Sequence, residues 1–387
     1  LGFLDNVEAT QFTGYAETAS EATVKMIISA DNESVAVASD CDAMIIVDRT
    51  PFYGEGGGQV GDTGIITSEG AKITVNDTKK SNGIFMHRCT VDGVISVGDK
   101  VTLTVDAARR DEIRRNHTTA HLLQAALRKV LGTHVEQAGS YVDPERVRFD
   151  FSHYTAMTAD EIKQVEDLVN AEILKGTPVE NFETDIESAR SLGAMALFGE
   201  KYGDVVRVVK VGDFSVELCG GTHLDNTAKA GLFKIISESS VASGVRRIEG
   251  TTGINVLKLL EEKQTLIANC ARELKASNVT EIDKKAAQLQ AELKEEKQAV
   301  ERLNNKIASS QAEKIVDNVK KVGAFNVITG KTEGVSVDAV RSLCDGIKSR
   351  DPYAVAVISV NNDGKLNFVA CAGAEAVKAG AHAGNIL

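Results

Sequence analysis

Val101-Thr102-Leu103-Thr104-Val105-Asp106-Ala107-Ala108-Arg109-Arg110-Asp111-Glu112-Ile113-Arg114-Arg115-Asn116-His117-Thr118-Thr119-Ala120-His121-Leu122-Leu123 holds the turning point of this chain. Up to Val105 apolar residues alternate with period two, as in a half-buried strand. From Ala107 to Val130 they recur at Ile113, Leu122, Leu123, Ala126, Leu127 and Val130, the spacing of an amphipathic helix that Gly132 would stop. The chain therefore changes from β to α at Asp106. His117 and His121, four residues apart, share one face of the expected helix.

Working outward, residues 1–105 read as β-rich, with strands expected at 24–29, 34–38, 44–48, 72–76 and 101–105, punctuated by Gly, Asp and Asn. Beyond the helix, 147–151 reads as a short strand, and Thr158-x-x-Glu161 matches the capping box that opens a helix. Strands are expected at 205–211 and 214–218, and the second runs directly into Cys219-Gly220-Gly221-Thr222-His223. From Asn255 to about Val319 the pattern is helical and highly charged, with a break near Ser277-Asn278 and a restart at Thr280-x-x-Asp283. Leu289, Leu293, Val300, Leu303 and Ile307 form an imperfect seam, read as an antiparallel helix hairpin or short coiled coil, or as one amphipathic helix of a bundle. A small α/β module begins near Gly323: a strand at 325–329, a helix at 336–348, and strands at 354–360 and 366–371 joined by a tight turn at Asn361-Asn362-Asp363-Gly364. The expected fold class is α+β and multidomain, divided at 1–105, 106–253, 254–321 and 322–387.

Composition bounds the function. A chain of 387 residues suits two or three domains, and 43% hydrophobic content is ordinary for a globular protein. No apolar run approaches the roughly 18 residues of a membrane span. A net charge of −11 argues against a protein that coats nucleic acid along its surface, yet leaves room for local basic contacts at Arg109-Arg110, Arg114-Arg115, Arg246-Arg247 and Lys320-Lys321. The six cysteines are scattered, as in a reducing cytosol. The first residue is Leu1 and the last stretch reads like an interrupted element, so the chain is expected to be a piece of a longer protein.

His117-x-x-x-His121 and Cys219-x-x-x-His223 together offer three imidazoles and one thiolate, a tetrahedral set that suits one Zn²⁺ per chain better than a redox metal. Thr118 stands where a zincin metalloprotease has Glu, so that chemistry is excluded. Gly54-Glu55-Gly56-Gly57-Gly58-Gln59 lacks the Gly-Lys-Ser/Thr of a nucleotide P-loop. Its backbone amides, at Gly56, Gly57, Gly58 and Gln59, are candidates to hold an oxyanion or phosphate, against the plainer reading of a flexible hairpin loop. His87, His134, His153 and His382 carry no ligand spacing and are expected to be structural or exposed.

Four segments in series, Pro51-Phe52-Tyr53-Gly54-Glu55-Gly56-Gly57-Gly58-Gln59, Asn116-His117-Thr118-Thr119-Ala120-His121-Leu122-Leu123, Leu218-Cys219-Gly220-Gly221-Thr222-His223 and Gly244-Val245-Arg246-Arg247-Ile248, resemble the C-terminal half of alanyl-tRNA synthetases. The resemblance implies a zinc-containing editing domain, a helical linker and part of a C-terminal domain, without the aminoacylation domain that precedes them in the family. It implies hydrolysis of tRNA(Ala) misacylated with serine or glycine. Zinc would sit on His117, His121, Cys219 and His223. Gln137, in a Gly-Thr-His-x-x-Gln context, falls on the family's editing glutamine, and Thr118 is a candidate to sense the seryl hydroxyl. Gly56, Gly57, Gly58, Gln59, Arg246 and Arg247 are the candidate substrate contacts. Ala120 stands where many bacterial members have Thr.

The implied partners are the 3′ aminoacyl end and elbow of tRNA(Ala), and a second copy through the linker or C-terminal domain. No membrane and no DNA are expected, and the implied location is cytoplasmic. The rival readings are a free-standing trans-editing deacylase, and a non-catalytic tRNA-binding or dimerisation module with a structural zinc. A threonyl-tRNA synthetase editing domain shares the metal pattern but not the flanking Gly-Gly-Gly-Gln and Gly-Val-Arg-Arg-Ile.

Overall fold

A computed structural model of the chain describes residues 4, 7–196, 203–316, 318–362 and 364–387. The chain is a mixed α and β protein of several sheets and divides into two compact units, Leu1–Lys263 and Gln264–Leu387.

The first unit opens with a closed antiparallel barrel. Its strands run in the order Lys100–Val105, Gly64–Thr67, Ala71–Ser81, Ile84–Ser96, Asp42–Val47 and Ala19–Ser29. Lys100–Val105 then pairs with Ala19–Ser29, so the sheet has no free edge there. Val24, Ile27, Ile45, Val47, Ile66, Ile73, Val75, Val91, Val101, Leu103 and Val105 fill the interior. Alternation was clear enough in the sequence to locate most of these strands. Ile84–Ser96, the longest, was not expected, because Ile84, Phe85, Met86 and His87 are buried in succession. Ile84 and Met86 pack in a second cluster, with Ile28 and Ile46, so both faces are covered over Ile84–His87 and period two is lost there, whereas from Arg88 to Asp92 exposed and buried residues alternate.

The helix expected from the opening segment spans Ala107–Leu131, with the Asp106 side chain accepting from Arg109 N and Gly132 at its C-cap. It lies on a four-stranded antiparallel sheet ordered Gln137–Val142, Val147–Ser152, Val245–Thr252, Phe233–Ala242. The helix Ala159–Leu174 packs beside it, opened by the expected capping box: Thr158 N donates to Glu161 Oε2 at 2.8 Å and Glu161 N to Thr158 Oγ1 at 3.2 Å. Leu122, Leu123, Leu127, Phe149, Phe151, Val165, Val169 and Ile248 form the shared core. A three-stranded sheet, Val179–Asp185, Val205–Val211 and Ser215–Leu218, carries the Cys219 segment at its end.

The boundary between the two units falls within the helix Ile254–Glu273. The expected break follows it. Asn278 caps a short 3₁₀ turn at Val279–Glu281, and the helix Ile282–Val316 begins there. Leu289, Leu293, Val300, Leu303 and Ile307 all stand exposed along it. The last sheet is ordered Val319–Val322, Phe325–Glu333, Ala354–Asn362, Lys365–Ala372. Phe325–Glu333 and Ala354–Asn362 are parallel, with Val337–Arg350 between them in the chain and packed on the sheet. Of the expected hairpin turn, Asp363 lies outside the described residues. Among the described residues no helix is long and apolar enough to cross a membrane.

Candidate metal centre

His117 and His121 project from one face of Ala107–Leu131 as their spacing requires. The second pair works differently. Cys219 and His223 lie on irregular backbone beyond Ser215–Leu218, and the Gly220-Gly221 turn rather than a helix brings them together. One ligand atom from each of the four residues lies within 4.8 Å of all the others. Cys219 Sγ is 3.4 Å from His117 Nε2 and 3.3 Å from His223 Nε2. Bonds of about 2.3 Å to sulfur and 2.0–2.1 Å to nitrogen give a tetrahedral S–N edge of about 3.6 Å. The donor set and its spacing fit Zn²⁺.

Burial, with Arg207 nearby, pulls the His117 imidazole down to about 3. His121 and His223 are pushed well below the ordinary histidine range, first by burial and then by the neighbouring imidazoles and Arg207. All three rings are thus neutral and keep a lone pair for a metal. Each turns Nδ1 toward a different group. His117 Nδ1 is 2.7 Å from Gln59 Oε1, and His223 Nδ1 is 3.1 Å from Thr118 Oγ1. His121 Nδ1 is 3.7 Å from Glu217 Oε2. That last approach is not a charged ion pair, because burial raises Glu217 to about 8, against the Ser215 hydrogen bond, while it lowers His121. Arg207 fixes the ligand loop from outside, donating to Cys219 O at 3.0 Å and Gly221 O at 2.7 Å.

A cavity of about 270 Å³ opens on this cluster, lined by His117, His121 and Cys219 together with Gln124, Gln137, Ser140, Phe149, Met195 and Glu217. Gln137, at the start of Gln137–Val142, therefore faces the same space as three of the four candidate ligands.

Other candidates lie elsewhere. Thr118 is buried, its hydroxyl held by His223 Nδ1 and accepting from Leu224 N at 3.0 Å. Gln59, expected to meet substrate, is wholly buried and binds His117 and Thr222 instead. Its glycines form no open loop. Gly56 and Gln59 exchange backbone hydrogen bonds, and Gly58 O accepts from Val142 N. Gly57 lines the cavity. Arg246 and Arg247 lie on Val245–Thr252 and are engaged in two-pronged ion pairs, with Glu238 and Asp150 respectively. Arg110, offered as a phosphate contact, is fully buried and pairs with Asp62, because its guanidinium ties the helix to the barrel. Glu217 escaped the sequence reading. Period two from Ser215 puts it on the same strand face as Ser215 and Cys219, which is the signal that could have found it.

Comparison with known proteins places this arrangement. Residues 3–109 match the family described as tRNA synthetases class II (A), and residues 206–249 match the threonyl and alanyl tRNA synthetase second additional domain. The barrel and the Cys219–His223 region are thus aminoacyl-tRNA synthetase modules. The chain belongs to the alanyl-tRNA synthetase family. It is 45% identical to an alanine–tRNA ligase of Acetivibrio thermocellus over 386 residues, 99% of this chain and 44% of that protein. The identity is 44% to the alanine–tRNA ligase of Alkaliphilus oremlandii and 42% to that of Geobacillus thermodenitrificans, each over 99% of this chain and 44% of the relative. The chain therefore spans less than half the length of these curated relatives.

Proposed function

We propose that this chain carries the editing activity of an alanine–tRNA ligase, hydrolysing the ester of Ser-tRNA(Ala) and Gly-tRNA(Ala) in the cytoplasm. The observation that carries the reading is the cavity that brings Gln137 to the same wall as His117, His121 and Cys219. An aminoacyl ester is already activated, so hydrolysis requires a placed water and an environment for the developing oxyanion. Zn²⁺ held by His117, His121, Cys219 and His223 would supply a fixed positive charge at that wall. The Gln137 amide both donates and accepts, which suits it to orient water against the ester carbonyl. Thr118, with its hydroxyl on His223, acts by holding that ligand. Serine is told from alanine by polar groups that meet its hydroxyl, and Gln137 and Ser140 supply them. The glycine loop at Gly56–Gly58 borders the site, while Arg246 and Arg247 would reach RNA only by leaving their carboxylates.

The same reading divides the chain into a barrel at 1–105, an editing core at 106–253, a helical linker at 254–321 and a C-terminal α/β domain at 322–387. The linker and last domain contribute tRNA elbow contact and self-association, for which the exposed seam on Ile282–Val316 offers a coiled-coil surface. A closed set of four ligands favours one rival, a binding module with a structural zinc. Incubating the chain with Ser-tRNA(Ala) and Ala-tRNA(Ala) separates the two. Turnover of the seryl ester with alanine spared is expected. Protection of both esters would leave only the binding module.

A further inference from the structure

Gln59 comes from the barrel's glycine loop, 58 residues before His117, and its side chain has one orientation open to it. The oxygen Oε1 lies 2.9 Å from Thr222 N, which can only donate, so the atom facing it must be the acceptor. The amide nitrogen Nε2 then donates to Thr222 Oγ1 at 2.8 Å. With Oε1 fixed, its second contact, His117 Nδ1 at 2.7 Å, must also be a donor. His117 is therefore the Nδ1–H tautomer, and its lone pair is on Nε2, which faces Cys219 Sγ.

We propose that Gln59 is a positioning residue of the metal centre, fixing the tautomer and ring orientation of His117, so that the barrel is a working part of a metal site whose ligands all lie outside it. The loop is built for that purpose. Its turn is closed by the Gly56–Gln59 bonds and clamped to Gln137–Val142 on both sides, Val142 N donating to Gly58 O at 2.7 Å and Val60 N to Val142 O at 3.1 Å. A Cβ on Gly58 would meet Ser140 O at 2.4 Å, so the loop approaches that strand closer than any side chain permits. Orienting partners of ligand histidines typically contribute 10–100-fold in metal affinity. The inference rests on the ligand assignment and is independent of the deacylase reading.

The test is zinc affinity by competition with a chromophoric chelator, on the whole chain and on two variants. Gln59→Met keeps the side chain's length and volume but has no amide acceptor, and should bind zinc about 10–100-fold more weakly. Gln59→Glu keeps the acceptor and should stay within about threefold of the unaltered chain, since carboxylates serve this role elsewhere. Circular dichroism checks that each variant folds. Equal affinity in a folded Gln59→Met would overturn the proposal, and failure of the unaltered chain to bind zinc would overturn the ligand assignment with it. Should Gln59→Met not fold, long-range ¹H–¹⁵N correlation of His117 in the unaltered, metal-free chain decides the matter. Nδ1–H is expected, and Nε2–H would refute the assignment.

Discussion

Arg110, on the helix that carries two candidate ligands, and Asp62, on the loop leaving the barrel, form an ion pair that solvent does not reach, with 0% and 1% of their side chains exposed. Arg110 Nε donates to Asp62 Oδ2 at 2.9 Å, and the guanidinium also serves Gly14 O and Pro51 O. Asp62 Oδ2 in turn accepts from Tyr53 N at 2.8 Å. The pair fastens the glycine loop to the helix that carries His117 and His121. Asp62→Ala would leave a buried, uncompensated guanidinium, at a cost of about 3–5 kcal/mol. Urea unfolding followed by circular dichroism should register that loss. A change under about 0.5 kcal/mol, the size of an ordinary surface substitution, would mean that the pair does not hold the two parts together.

At Gly221 the ligand loop passes close against the helix. A Cβ there would lie 2.0 Å from His117 Cε1 and 2.8 Å from Gln59 Oε1. Gly221→Ala should therefore displace His117 and cut the zinc content of the purified protein to well below one per chain, with the barrel still folded. Full zinc occupancy in that variant would contradict the packing described for the loop.

Gln137 shares the cavity with three candidate ligands and is not one of them. Gln137→Ala should lower the rate of seryl ester hydrolysis by about 10²-fold, the usual effect of losing one oriented polar group at a reacting centre. Zinc content should not change. Loss of zinc in Gln137→Ala would move this residue from the chemistry to the metal scaffold.

His87 gives the barrel an acid-sensitive point. Its ring is buried, with Nε2 2.8 Å from Thr50 Oγ1 and Nδ1 2.9 Å from Ile45 O, and burial lowers it to about 4. A histidine depressed in the folded state contributes stability that is complete above its unfolded value of about 6.5 and declines as pH falls toward 4, roughly 3 kcal/mol in all. Urea midpoints at pH 7 and pH 5 should therefore differ more in the unaltered chain than in His87→Gln. Equal differences would remove His87 as the source.

Much of this was legible in the sequence where the signal is local. The turn from strand to helix at Asp106, the capping box at Thr158 and the paired histidines at i,i+4 are set by neighbouring residues, and the structure has them. Ile84–Ser96 was missed: covering both faces erases the alternation over Ile84–His87, while the alternation that remains, around Cys89 and Val91, is short. At the site, spacing pointed to the four candidate ligands that the fold brings within 4.8 Å of one another. The sequence marked Gln59 only as a substrate contact and did not mark Glu217 or Arg207, because the partners of all three are fixed by the meeting of the barrel, the helix and the three-stranded sheet. A glycine run read either as a cradle for an oxyanion or as a flexible hairpin loop is thus a closed turn delivering one amide to one imidazole.

Under the proposed function, the cavity beside His117, His121 and Cys219 is where the seryl ester is cleaved. The most direct measurement is the rate of Ser-tRNA(Ala) hydrolysis by the whole chain as purified, after chelation, and after zinc is restored. Activity should fall with zinc content and return with it, with Ala-tRNA(Ala) spared throughout. Undiminished hydrolysis by the stripped chain would contradict the proposed function.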